Sequence, residues 1–155
     1  MASRKIFTPK GFTLLETLIV VGLFGVVGAA GMLMTLSTYR ANTFDTQRDR
    51  LVATLLQARS LAMSGVCDGE GCVGGVPHGV HVEHGSYTLF QGEEFSRDDQ
   101  HNVSVELAAA QSQEVEIQFS ARWATSTPAT FVLSDEQGHD STITVGSEGQ
   151  LSWTP

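Results

Sequence analysis

The apolar and polar positions divide the chain into stretches of different rhythm. After a polar start, "GFTLLETLIVVGLFGVVGAAGMLM" runs almost unbroken in apolar residues, and about 20 such residues suffice to span a bilayer. From Thr35 onward the apolar positions recur every three or four residues: Tyr39, Phe44, Leu51, Leu55, Ala58 and Ala62, with Val52 and Leu56 widening the stripe. Arg48, Asp49 and Arg59 fall between them, and neither proline nor glycine interrupts before Gly65. This is the pattern of an amphipathic helix laying one face on a core. Joined to the apolar run, it predicts a helix of about 50 residues, on the order of 75 Å long. The first half of that helix is a bare apolar stalk that lipid or other helices must cover.

Past Gly65 the period shortens to two. "GVHVEH" and "SYTLFQ" flank Gly85 as a hairpin, and "NVSVEL", "EVEIQFS", "ATFVLSD", "STITVG" and "QLSWT" follow, with "DEQGHD" and "GSEG" as turns. Val115, Ile117 and Phe119 alternate strictly. About seven short strands without an intervening helix predict an α+β protein, its antiparallel sheet, or two, packed on the amphipathic helix. Trp153 is expected in the core or at a sheet edge. "GEEFSRDDQHN", residues 92–102, reads as a long exposed polar loop.

Charge sharpens this division. Arg4, Lys5 and Lys10 precede the apolar run, while all 17 acids follow it or lie within it. Basic residues on the short side place that side in the cytoplasm and the remainder outside. Loss of the first eleven residues would take the formal charge from −8 to −11, because three cations and no acid go with them. So acidic an exterior weighs against nucleic acid as a partner, which normally needs a basic face.

One charge does not fit a simple span. Glu16 lies near the start of the apolar run, where a carboxylate in hydrocarbon costs about 2.5–3.5 kcal/mol on insertion scales. A cleaved secretory signal ending near Gly31, which would release a soluble binding module, does not account for it. Neither does a plain uncleaved anchor. "GFTLLETLIVVG" resembles the cleavage and methylation motif of type IV prepilins and type II secretion pseudopilins, and "MASRKIFTPKG" has the short basic character of their leader. The resemblance implies that prepilin peptidase cuts between Gly11 and Phe12 and methylates the new amino terminus at Phe12. It implies a pilin-like fold, retention of the apolar helix, membrane lipid as its surroundings before assembly, and an inner-membrane assembly platform as a partner. Other pilin or pseudopilin subunits then meet this one through the N-terminal helix. Glu16 takes the position of the family's glutamate, where it can pair with the terminal amine of a neighbouring subunit and offset part of both desolvation costs. "RDRLVATLLQARSLAMSG" is similar to the GspH/FimT group of minor pilins and pseudopilins, which implies a minor subunit. A competence-type, DNA-contacting pilin is the alternative within the class. The expected organisation is a leader at 1–11, a transmembrane and assembly helix at 12–39, an amphipathic helix at 40–64 and an extracytoplasmic β domain at 65–155. The arginines of the helix read as a solvated face with local ion pairs to Asp45 or Asp49. Gly22, Gly25, Gly28 and Gly31 read either as ordinary tolerance in a membrane helix or as sites of close packing or local melting.

The candidate chemistry is sparse. Cys67 and Cys72 bracket "CDGEGC" on the side of the membrane where disulfides persist, and with no third cysteine only one intramolecular pairing is open to them. In "PHGVHVEHG" strand alternation sends His78 and His84 one way and His81 the other, so the three do not converge on a metal. "DGEG" offers Asp68 and Glu70 without the spacing of a calcium loop. No G-x-S-x-G, phosphate-binding glycine loop or H-E-x-x-H occurs. No catalytic residue, metal or cofactor is assigned; the sequence reads as the substrate of an enzyme.

Overall fold

The computed structural model describes residues 12–69, 73–108 and 110–154. Helix α1 covers Leu14–Ser64. The chain resolves into two compact units, Met1–Tyr39 and Arg40–Pro155, which are taken in turn.

In the first unit the helix is mostly apolar from Leu14 to Met32, with Glu16 in its first turn. Residues Leu14–Met32 form a segment long and apolar enough to cross a membrane, and none of it is buried by the protein itself. Nothing stands within 4 Å of where a side chain would begin at Gly22, Gly25, Gly28 or Gly31.

The second unit has its own core. Helix residues Phe44, Leu51, Val52, Leu55, Ala58 and Ala62 are buried together with side chains from both sheets. At about 100° per residue, these six fall within a sector of about 120° centred on Leu55. Leu56 lies about 40° beyond the sector's edge and is 47% exposed, so the predicted stripe is narrower than expected. Tyr39, expected to open the stripe, is exposed and belongs to the other unit. Arg59, by contrast, falls within the sector, which explains why its Nε is buried. Arg48 pairs with Asp45 and Asp49, each at 2.9 Å, as the charge pattern predicts.

The strands are β1 (His78–Glu83), β2 (Ser86–Gln91), β3 (Val103–Glu106), β4 (Gln111–Ser112), β5 (Val115–Phe119), β6 (Ala129–Ser134), β7 (Asp140–Val145) and β8 (Leu151–Thr154). They form two antiparallel sheets in the orders β3-β2-β1-β5 and β4-β6-β7-β8. Alternation fixes which side faces inward: Val80, Val82, Tyr87, Leu89, Ile117 and Phe119 from the first sheet meet Phe131, Leu133, Ile143 and Val145 from the second, with the helix stripe against both. Trp153 sits on the edge strand β8 and is 45% exposed. The two-residue β4 lies outside the expected strands; it is too short to show an alternation.

Candidate functional site

At the start of α1, Thr13 stands just before the first helical residue, and its Oγ1 accepts the Glu16 backbone N–H at 3.3 Å. Thr-x-x-Glu is the spacing of a capping box. A carboxylate in the first turn also faces the positive end of the helix dipole. Glu16 thus has a local reason for its place that the sequence already carried in "TLLE", beside the expected intersubunit one. Phe12 is 78% exposed; Gly11, the other half of the expected processing site, lies outside the described residues.

The loop after α1 is tied to the β domain rather than loose. The Asp68 backbone N–H donates to Gln91 Oε1 at 2.9 Å, and Gln91 Nε2 donates back to the Asp68 carbonyl at 3.0 Å. No free thiol occurs among the described residues. Cys72, the expected partner of Cys67, lies outside them, as does Glu70.

The histidines stay apart. Those of β1 sit on different faces, and among the described residues no group of three or more His, Cys, Asp or Glu side chains is placed to hold a metal. His78 is buried, and burial pulls its pKa below the ordinary histidine value despite a bond with the Val76 carbonyl, which opposes the shift. His81, across from Thr88 and Glu116, points away from the core. Phe95 stacks on it at 4.1 Å and meets Phe90 edge-on at 5.6 Å. Neither ring nitrogen of His81 has a hydrogen-bond partner, and the Glu114 and Glu116 carboxylates stand 3.8 and 3.9 Å away. The polar segment 92–102 is therefore a strap across the outer face of the first sheet. Arg97 bonds Glu83 at 2.6 Å, and Gln118 donates to the Gly92 carbonyl at 2.8 Å. Hydrogen bonding from Ser86, and the Arg97 guanidinium with it, holds the Glu83 carboxyl below its usual range.

One constellation was not visible in the sequence. Between β5 and β6, Arg122 and Ala124 both take left-handed backbone angles, φ 70° and 53°, which are uncommon for residues other than glycine. Several bonds hold the turn in that shape. The Arg122 N–H donates to the Ala62 carbonyl near the end of α1 at 2.8 Å, Ala124 N–H to the Ser120 carbonyl at 2.9 Å, and Ser120 N–H to the Thr125 carbonyl at 2.8 Å. Ala124 is fully buried, whereas Trp123 between the two is 82% exposed. Arg59 lies beneath, donating from Nη2 to the Glu148 carbonyl at 3.2 Å. The result is an indole presented to solvent from a constrained turn, while the neighbouring Arg122 guanidinium lies against Gly75, its Nε 3.4 Å from where a side chain would begin there, and has no acidic partner among the described residues.

The chain matches a family model described as the prokaryotic N-terminal methylation motif over residues 8–32. Neither a curated protein nor a solved structure matches it significantly. The matched residues cover "TPKGFTLLETLIV" and most of the apolar run. An N-terminal motif of the prepilin type, a helix able to cross a membrane, and an amphipathic helix packed against antiparallel sheets therefore stand together in one chain. That combination is consistent with the prepilin and pseudopilin superfamily and with a pilin-like α+β fold.

Proposed function

We propose that this chain is a prepilin-like structural subunit of a type IV pilus or type II secretion pseudopilus. The single observation that carries the reading is the methylation motif at residues 8–32. Residues 1–11 are a cytoplasmic leader, the helix of residues 12–39 rests in the inner membrane, and residues 65–155 lie outside. Prepilin peptidase cleaves after Gly11 and methylates Phe12. The assembly platform then moves the subunit from lipid into a filament of like helices, with Glu16 pairing to the amine of a neighbour. Such a buried pair is a register device: each charge alone is costly, and only the correct stagger satisfies both. Cys67 and Cys72 form a disulfide that closes the loop after the helix. The GspH/FimT-like arginine helix supports a minor subunit over the main building block.

Mass spectrometry of the mature protein tests the reading. The expected N-terminus is N-methylated Phe12. A start near Gly31 would replace the proposal with a secreted module, and an intact Met1 would reduce it to a plain anchor. Salt-dependent DNA binding by the processed chain would instead favour a competence-type pilin.

A further inference from the structure

The outer face of the first sheet carries a second, smaller packed site, and a histidine is buried in it. Strand pairing puts His81, Glu83, Phe90, Glu106 and Glu116 on that face. Phe90 is buried there, outside the main core. Its cross-strand neighbour Gly79 leaves it room, since a side chain at that position would collide with the ring. Phe95 of the strap then covers both Phe90 and His81.

A neutral His81 fits this place badly. It is 7% exposed, and a neutral imidazole carries one donor and one acceptor. Neither nitrogen has a partner, and unpaired polar atoms are costly once buried. A protonated ring fits better, because both nitrogens then donate and each has a carboxylate beside it. Glu114 stands 3.8 Å from Nε2 and Glu116 3.9 Å from Nδ1. Both carboxylates are on exposed side chains, and a shift of about 1 Å brings each into hydrogen-bond range. The imidazolium would also lie flat on Phe95 as a cation–π partner. The other charges of this face are occupied or in solvent. Glu83 is held by Ser86 and Arg97, and Asp99 by His101. Glu93, Glu94, Asp98 and Glu106 are exposed. From β2, His81 is opposed by the uncharged Thr88, itself bonded to Ser104.

We propose that His81 is a pH-dependent latch for the strap at residues 92–102. Protonated, it binds Glu114 and Glu116 and holds Phe95 down; neutral, it leaves the strap free to lift. The latch uses the first sheet and the strap alone, so it works whether or not the N-terminus is processed. His78, at the start of the same strand but facing inward, responds in the opposite sense because burial disfavours its charge. Global stability therefore does not report the latch, whereas opening of the strap does.

Hydrogen–deuterium exchange of peptides covering residues 92–102, read by mass spectrometry on the full chain in detergent, tests the proposal. A His101→Gln background removes the strap's own histidine. After correction for intrinsic exchange at each pH, protection should rise about fivefold from about pH 7.5 to about pH 5.5, the scale of one ion pair. His81→Phe keeps a ring under Phe95 that cannot take a proton, so protection should stay constant. Glu114→Gln with Glu116→Gln keeps the histidine but removes its partners, and should also abolish the rise. Protection that is flat or falls in acid without these substitutions would overturn the proposal, as would a rise that survives either set. Exchange in β6 and β7 at a fixed pH shows whether each variant is folded. Should His81→Phe fail to fold, the glutamine pair, at exposed positions, decides the matter alone.

Discussion

Gly149 holds the Trp123 turn from beneath, and replacing it by alanine tests how tightly the turn is wedged. Its φ is 67°. A side chain in that left-handed conformation costs about 1–2 kcal/mol, from which the reduced freedom of the unfolded chain returns about 0.4–1 kcal/mol. Gly85 provides the control, because its φ is 82° and nothing lies within 4 Å of an added methyl. Gly85→Ala should therefore destabilise by about 0–1.6 kcal/mol. At Gly149 the methyl would also collide with the Ala124 carbonyl oxygen and come within 3.1 Å of Arg59 Nε. Both neighbours are poor at yielding: Ala124 is fully buried, and Arg59 is tied to the Glu148 carbonyl. Overpacking of this kind costs a further 1–3 kcal/mol or so, which brings Gly149→Ala to about 1–4.6 kcal/mol. Urea denaturation of the full chain in detergent, followed by circular dichroism, measures both variants. Trp123 fluorescence, read in a Trp153→Phe background, should change in the native state of Gly149→Ala and not of Gly85→Ala. Equal destabilisation by the two substitutions would refute the claim that a close backbone approach, beyond the φ angle, constrains this site.

Other perturbations address the helix start and the buried histidine. Glu16→Leu should leave membrane insertion unchanged while abolishing incorporation into filaments, scored by fractionating sheared filaments from membranes; normal incorporation would remove the pairing argument. The lowered pKa of His78 has a definite sign: as pH falls through the unfolded value of 6.5, the unfolded chain gains a proton that the folded chain resists. Stability is therefore full above that value and declines below it. His78→Gln should flatten this part of a stability-versus-pH curve measured between pH 7 and 5, and an unchanged slope would assign the effect elsewhere.

How much of this was readable in advance depended on local pattern. The alternating apolar positions of β5 and β7, the Gly85 hairpin and the buried positions of the helix follow directly from periodicity, because a one-residue slip would turn each set toward water. Leu56 misled because only its angular position, not its hydrophobicity, separates it from Val52. The segment 92–102 is largely exposed, as its polar composition predicts; what the pattern does not announce is that its single phenylalanine, Phe95, stacks on His81, whose environment is set by strands distant in sequence. The Trp123 turn was missed for a different reason. "SARWAT" contains no Gly, Asn, Asp or Pro, so nothing local announces its left-handed residues. They are imposed by hydrogen bonds to Ala62 and by the closeness of Gly149, which only tertiary structure brings there.

The strand orders also bear on how the domain comes into being. β6, β7 and β8 follow one another in sequence and pair as neighbours, so that part of the second sheet can close as a meander from residues 129–154 alone. The first sheet cannot close progressively, because β1 takes β2 on one side and must wait for β5, more than thirty residues later, on the other. Pairings this far apart in sequence form late and slowly. A chain made from its N-terminus therefore presents the apolar stripe of Leu51, Leu55 and Ala62 well before Ile143 and Val145 exist to cover it. Until the last strands arrive, the helix that anchors the finished domain is its most adhesive part, and the period of exposure is set by the distance from Ala62 to Val145 along the chain.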